Sequence, residues 1–199
     1  MEGNTKQIIR RKLFRMLAFF YPLVYMKYTQ QETIYASTVI AMVAVVIESM
    51  RFYSLKTKRL FEKIFSFVGK EEEVQRISGI TYMTLGALFT VVFFPRVMAV
   101  PVLFCSILGD AVSSLISAKW KQFRIFRNKS LEGVLACFAI CLATGLILLR
   151  TNLIMEGLTF NSVLVIALLT TIFDIIPLPL DDNISTPLAV GFLAQFIIS

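Results

Sequence analysis

Long apolar stretches alternate with short charged connectors along this chain, a pattern that predicts membrane-crossing helices rather than a soluble core. Seven apolar runs fall at roughly residues 13–28, 33–50, 77–94, 97–118, 131–149, 160–176 and 184–198. They exceed the roughly 10–14 residues typical of helices buried in soluble proteins, although several fall short of the roughly 20 that a perpendicular span prefers. The pattern predicts an all-α fold: a polytopic transmembrane helical bundle of six to seven spans. Its first and last runs are the ones that could lie partly in the interface. Residues 1–199 form one integral membrane domain. Between the second and third runs, charges alternate with Leu60, Phe61, Ile64, Phe65 and Val68 at helical spacing. An amphipathic helix on the membrane surface near 56–70 fits that spacing, and a solvated connector with basic anchors competes with it.

Charge placement orients the bundle. With a cytoplasmic N-terminus, Lys6, Arg10, Arg11, Lys12 and Arg15 lie inside, before or early in the first span. So do Arg51, Lys56, Lys58, Arg59, Lys63, Lys70 and Arg76 after the second span, and Lys119, Lys121, Arg124, Arg127 and Lys129 after the fourth. Only Lys27, Arg96 and Arg150 of the 20 Lys and Arg then lie outside, which predicts a cytoplasmic N-terminus. The basic start before an apolar run has the look of a secretion signal. Arg15 and the lack of a small-residue cleavage site instead predict a retained segment.

Composition agrees, with 57% hydrophobic and 17% charged residues, against about 25% charged in soluble domains. The net charge of +7 sits at the ends of apolar runs, so anionic headgroups and nucleotide phosphates are better partners than nucleic acid. Cys105, Cys137 and Cys141 lie inside apolar runs without a zinc-like or CxxC spacing and read as small buried hydrophobes. The chain has no His, which excludes Ser-His-Asp and Cys-His nucleophiles and any His-ligated metal. Neither a Walker loop nor the protein-kinase HRD and DFG set is present. Carboxylates, Lys and Arg must carry any chemistry.

A carboxylate in hydrocarbon costs at least about 2.5 kcal/mol at a helix centre, so each one needs a reason. Asp110 lies inside the fourth run and Asp174 near the end of the sixth, with Asp181 and Asp182 just beyond. Pro177, Pro179 and Pro187 break the intervening backbone, and broken backbone at membrane depth is tolerated where it lines a wet cavity. A cavity rimmed by Asp174, Asp182 and the Asn183 carbonyl suits a hard divalent cation such as Mg2+. A plain polar turn between spans is the alternative. The second cluster is Asn128-Lys129-Ser130-Leu131-Glu132-Gly133. Ser130 is a candidate N-cap, so the helix start and Lys129 together form a phosphate site; a local Lys129–Glu132 pair competes with it. Glu48 and Arg51, three apart, pair with each other or face the cavity.

Four stretches in order resemble the CTP-dependent polyprenol kinase family, which covers dolichol kinase, phytol kinase and CTP-dependent diacylglycerol kinase. They are Gly79-Ile-Thr-Tyr-Met-Thr-Leu-Gly86, Gly109-Asp-Ala-Val-Ser-Ser-Leu115, Asn128-Lys-Ser-Leu-Glu-Gly133 and Asp181-Asp-Asn-Ile-Ser-Thr-Pro-Leu188. The resemblance implies CTP as phosphoryl donor, a divalent cation, and a long-chain or diacyl alcohol as acceptor. It also extends to the phosphatidate cytidylyltransferases, but these usually end in a longer acidic motif with a DR pair, where this chain has Asp181-Asp182-Asn183. Three departures stand out. Arg15 follows Arg11-Lys12 where a His is common, Ser117 and Lys121 replace common glycines, and Asp174 stands where Glu is common.

The expected chemistry is transfer of the terminal phosphate of CTP to the hydroxyl of a membrane lipid alcohol at the cytoplasmic face. Asp110 serves as metal ligand or general base, Asp174, Asp182 and Asn183 complete the cation site, and Lys129 holds phosphate oxygens, with Ser130 and Glu132 beside it. One rival is a cytidylyltransferase making a CDP-lipid. Another is a transporter-like membrane protein without catalysis, since broken helices and buried acids also mark transport sites.

Overall fold

A computed structural model describes residues 16–53, 78–119, 124–126, 129–151, 157–176 and 180–198. Seven α-helices are found among the described residues: α1 (Phe20–Lys27), α2 (Gln30–Tyr53), α3 (Gly79–Phe93), α4 (Arg96–Lys119), α5 (Leu131–Thr151), α6 (Phe160–Ile175) and α7 (Asp182–Ile198). A 3-10 turn, Met16–Phe19, leads into α1. Each apolar run of the sequence therefore becomes helix. The amphipathic segment expected near 56–70 lies outside the described residues.

Local chemistry sets the ends. Ser78 caps α3 by accepting the Thr81 N–H, and Thr159 caps α6 by accepting the Ser162 N–H. α3 stops at Phe93, just before Pro95, because the residue preceding a proline is driven out of the helical region. Three helices, α2, α4 and α5, are long and apolar enough to cross a membrane, and the others are shorter, with 15, 16 and 17 residues in α3, α6 and α7. Half of the α4 window is buried inside the protein, against 22% for α2 and 28% for α5. α4 is therefore the central helix. It packs on α5, α6, α7 and α1, while α2, α3, α7, α6 and α5 follow one another around it.

The surface is more apolar than that of a soluble protein, and hydroxyls are set among the apolar side chains of the interior. Val39, Met42, Leu135, Ile147 and Phe196 are exposed, whereas Thr81, Thr90, Ser113 and Thr170 are buried. Apolar exteriors with hydroxyls between helices are the arrangement expected in lipid. Together with the three long apolar helices, this marks an integral membrane protein. The cysteines are buried and unbridged. Cys105 and Cys141 exchange weak S–H bonds with each other's carbonyls across α4 and α5.

One element departs from a purely helical expectation. Arg124–Phe126 (β1) pairs antiparallel with Lys129–Ser130 (β2), Arg124 opposite Ser130 and Phe126 opposite Lys129. The β-branched and aromatic pair Ile125-Phe126 favours an extended strand in this connector. At the opposite end of the bundle, Tyr25 donates to the Phe94 carbonyl at 3.2 Å and Gln30 to the Val91 carbonyl at 2.9 Å. Arg96 donates to the Tyr28 carbonyl and lies over the Tyr25 ring. These bonds close the α1–α2 and α3–α4 junctions.

Candidate functional site

The up-and-down path brings the C-terminal halves of α4 and α6 to the same end as the starts of α5 and α7. Asp110 of α4, Lys129 of β2 and Asp174 of α6 meet there. The Lys129 Nζ lies 2.7 and 2.9 Å from the two Asp174 oxygens, 3.0 Å from Ser113 Oγ, 3.4 Å from Ser114 Oγ and 3.7 Å from Asp110 Oδ1. Ser113 donates to Asp174 Oδ2 at 2.5 Å, and Ser114 to Asp110 Oδ1 at 3.3 Å. Asp174 is only 7% exposed and Lys129 19%. Charges this withdrawn from solvent persist because each compensates the other and both are hydrogen-bonded.

Small residues put Lys129 in reach. Ser117 accepts the Ser130 N–H at 3.0 Å and the Ser130 hydroxyl at 3.3 Å. Ser130 in turn caps α5, accepting the Gly133 N–H at 3.1 Å. A Cβ on Gly133 would collide with the Ser117 hydroxyl and sit 2.7 Å from the Ser113 carbonyl. Glycine thus lets the first turn of α5 lie directly on α4, and Ser117 pins the strand that carries Lys129.

Beside this cluster is a cavity of about 50 Å³. Asp110, Asp174, Asp182 and Asn183 form its polar part, and Ala18, Met83, Ala87, Leu103 and Ile107 its apolar part. The start of α7 reaches it because Gly86 of α3 has no side chain; a Cβ there would collide with the Asn183 carbonyl. Asp181 and Asp182 divide their roles. Asp181 folds back to accept from the Asn183 backbone and side-chain amides at 2.9 and 2.5 Å, capping α7, while Asp182 lines the cavity.

The donor set fits a hard cation. Mg2+ takes one or two carboxylates and completes its shell with water and phosphate oxygens, and Asp110 of α4 and Asp182 of α7 both line the cavity. Asp174, the third expected ligand, is engaged by Lys129. Among the described residues, no group of three or more Asp, Glu, Cys or His side chains stands close enough to share one ion.

The structure thus brings Asp110, Lys129, Asp174, Asp182 and Asn183 to one end of the bundle, around or beside one cavity. Ser130 is fully buried, its hydroxyl occupied as helix cap and tie. Glu132 is half-buried, with a buried Oε2 lacking a hydrogen-bond partner among the described residues, and is not among the cavity-lining residues. Lys129 turns to Asp174 rather than to the neighbouring Glu132. Glu48 serves the start of α3, accepting the Ser78 N–H at 3.2 Å and the Ser78 and Thr81 hydroxyls at 2.7 and 3.0 Å. Asn128, Pro177, Pro179 and the Arg51 side chain lie outside the described residues. The residues unassigned from sequence are Ser113 and Ser114. Their signal was spacing, since on a helix residues three and four after Asp110 share its face.

No protein-family model matches the chain, and no solved structure matches it. The chain is 26% identical over 140 residues to the CTP-dependent diacylglycerol kinase 1 of Eremothecium gossypii, covering 68% of this chain and 44% of that protein. It therefore spans less than half the length of that kinase. It is also 23% identical over 189 residues to an uncharacterised protein of Rickettsia prowazekii, covering 90% of this chain and 89% of that one. The first likeness is distant. It points to a lipid kinase.

Proposed function

We propose that the protein transfers the terminal phosphate of CTP to the hydroxyl of a membrane lipid alcohol at the cytoplasmic face of a polytopic bundle. The observation that carries this reading is Lys129, held between Asp174 and Asp110 beside a cavity that is acidic in one part and apolar in the other. A reaction joining a polyphosphate to a lipid needs both surroundings within one reach. The likeness to a CTP-dependent diacylglycerol kinase supports the donor and the reaction class.

In this scheme Lys129 presents three donors that a phosphate oxygen can take over from Asp174. Asp110 accepts the proton of the lipid hydroxyl as its oxygen forms a bond to the terminal phosphorus. The bond from that phosphorus to the bridging oxygen breaks, and CDP leaves. Asp182 and Asn183 would hold a divalent cation, with Asp110 as a further ligand in the alternative where it is not the base, and the ion would neutralise phosphate charge. Positioning and charge neutralisation supply most of the acceleration. The excess of Lys and Arg on the connectors at this end of the bundle supports a cytoplasmic site.

The test is incubation of purified protein with a panel of lipid alcohols and labelled CTP, identifying both the labelled lipid and the nucleotide released. A phosphorylated alcohol with CDP is the expected result, and Asp182→Asn is expected to abolish it without loss of fold. Pyrophosphate release with a phosphatidate acceptor would replace the kinase by a cytidylyltransferase. Full activity in Asp182→Asn would remove Asp182 from the cation site.

A further inference from the structure

An ammonium group carries three N–H donors, yet the Lys129 Nζ sits among five side-chain oxygens. Both oxygens of Asp174 lie at 2.7 and 2.9 Å, Ser113 Oγ at 3.0 Å, Ser114 Oγ at 3.4 Å and Asp110 Oδ1 at 3.7 Å. Two carboxylates and two hydroxyls are hard oxygen donors, the set that suits a free cation. The cage belongs to α4 and α6, whereas its occupant is carried by β2. Lys129 fills it as a tethered cation.

Charge balance then limits what can happen when a substrate arrives. Asp174 is only 7% exposed, and a carboxylate that withdrawn from water needs a positive partner to stay ionised. Phosphate oxygens compete for the same ammonium. Once they draw it away, Asp174 keeps the Ser113 hydroxyl but loses its compensating charge, and another cation must replace the first. Asp174 and Asp182 line one cavity, so that replacement can come from the cavity side. Conversely, while Lys129 is in place its charge repels a second cation and its donors hold both Asp174 oxygens.

We infer that Lys129 is an interlock: it keeps Asp174 from the divalent cation until nucleotide phosphate takes it over, and Asp174 then joins Asp182 and Asn183 as a ligand of that cation. This inference rests on the lipid-kinase reading and adds a regulation to its site. Without nucleotide the cage is closed by its own lysine and holds the free cation weakly. With nucleotide it opens, so cation and nucleotide each tighten the binding of the other, by the same factor in both directions.

The test uses Mn2+ as the probe, read by electron paramagnetic resonance on the purified protein in lipid nanodiscs. Without nucleotide, Lys129→Met is expected to bind Mn2+ at least about tenfold more tightly than wild type, because Asp174 is uncovered. Adding Asp174→Asn should abolish that gain, while the same charge change at Asp181, which caps α7, should leave it. In a second arm, the factor by which Mn2+ tightens binding of a non-hydrolysable CTP analogue should be at least about tenfold larger in wild type than in Asp174→Asn. Chelation of Mn2+ by the analogue itself is common to both proteins and cancels. This arm retains Lys129, so it decides the matter even where Lys129→Met does not fold. Equal nucleotide-free affinities in wild type and Lys129→Met, a gain that survives Asp174→Asn or is lost with Asp181→Asn, or equal factors in the second arm overturn the inference and leave the kinase reading standing. A wild type that binds no analogue overturns both.

Discussion

Replacing Lys129 by Met removes the cation and keeps most of the side-chain length. Asp174, 7% exposed, then retains the Ser113 hydroxyl but loses both ammonium contacts, at 2.7 and 2.9 Å. A buried carboxylate stripped of its partner costs about 3–5 kcal/mol, most of it the desolvation of a charge that nothing compensates. Asp174→Asn in the same background removes that charge, and its amide oxygen can still accept from Ser113. Most of the lost stability should return, giving a coupling of at least about 2 kcal/mol in the double-mutant cycle. Unfolding in mixed micelles by SDS titration reads the stabilities of all four proteins. CTP turnover in the same samples separates structure from chemistry. The double variant should regain fold but not activity, because it still lacks the donor for phosphate oxygens, with kcat/KM down by about 10²-fold or more. A Lys129→Met loss under about 1 kcal/mol, or additive single effects, would refute a buried pair at this position. Recovery of turnover in the double variant would refute the phosphate role.

Three further perturbations probe how the site is held. Gly86→Ala drives a methyl into the Asn183 carbonyl, so stability should fall by about 1–3 kcal/mol and turnover should fall with it; unchanged turnover would disconnect the α3–α7 contact from the site. Ser117→Ala leaves the buried Ser130 N–H without its acceptor, a loss of about 1–3 kcal/mol in the same unfolding assay. Glu48→Gln removes the charge that accepts three bonds at the start of α3. It should lower stability by about 1–3 kcal/mol while CDP remains the nucleotide product in the labelled-CTP assay.

The helices were legible because hydrophobic length is a local property of sequence, and Ser130 as the α5 cap was legible for the same reason. The partner of Lys129 was not. From sequence its near neighbour Glu132 competes for it, but Asp174 is 45 residues away and meets it only because α4, α5 and α6 share one end. Ser117 read as a departure from glycine, and its use as a tie to Ser130 is visible only once β2 lies on α4. Glu48 had two readings, pairing with Arg51 or facing the cavity. Its bonds to Ser78 and Thr81, across some 30 residues, were in neither reading, and the Arg51 side chain lies outside the described residues.

The short helices carry a consequence for the lipid around them. At a rise of 1.5 Å per residue, the 15–17 residues of α3, α6 and α7 reach only about 22–26 Å, against roughly 30 Å of hydrocarbon in an ordinary bilayer. Helices α2 and α4, with 24 residues each, match or exceed that thickness at about 36 Å. On the proposed polytopic reading, in which all of these helices cross the membrane, a bilayer fitted to both thins along the flank formed by α3, α6 and α7. That flank contributes cavity walls, so on the same reading the glycerol level of the neighbouring leaflet is drawn down toward Asp110 and Asp182, where the proposed lipid acceptor would bring its hydroxyl to the carboxylates while its chains remain in hydrocarbon.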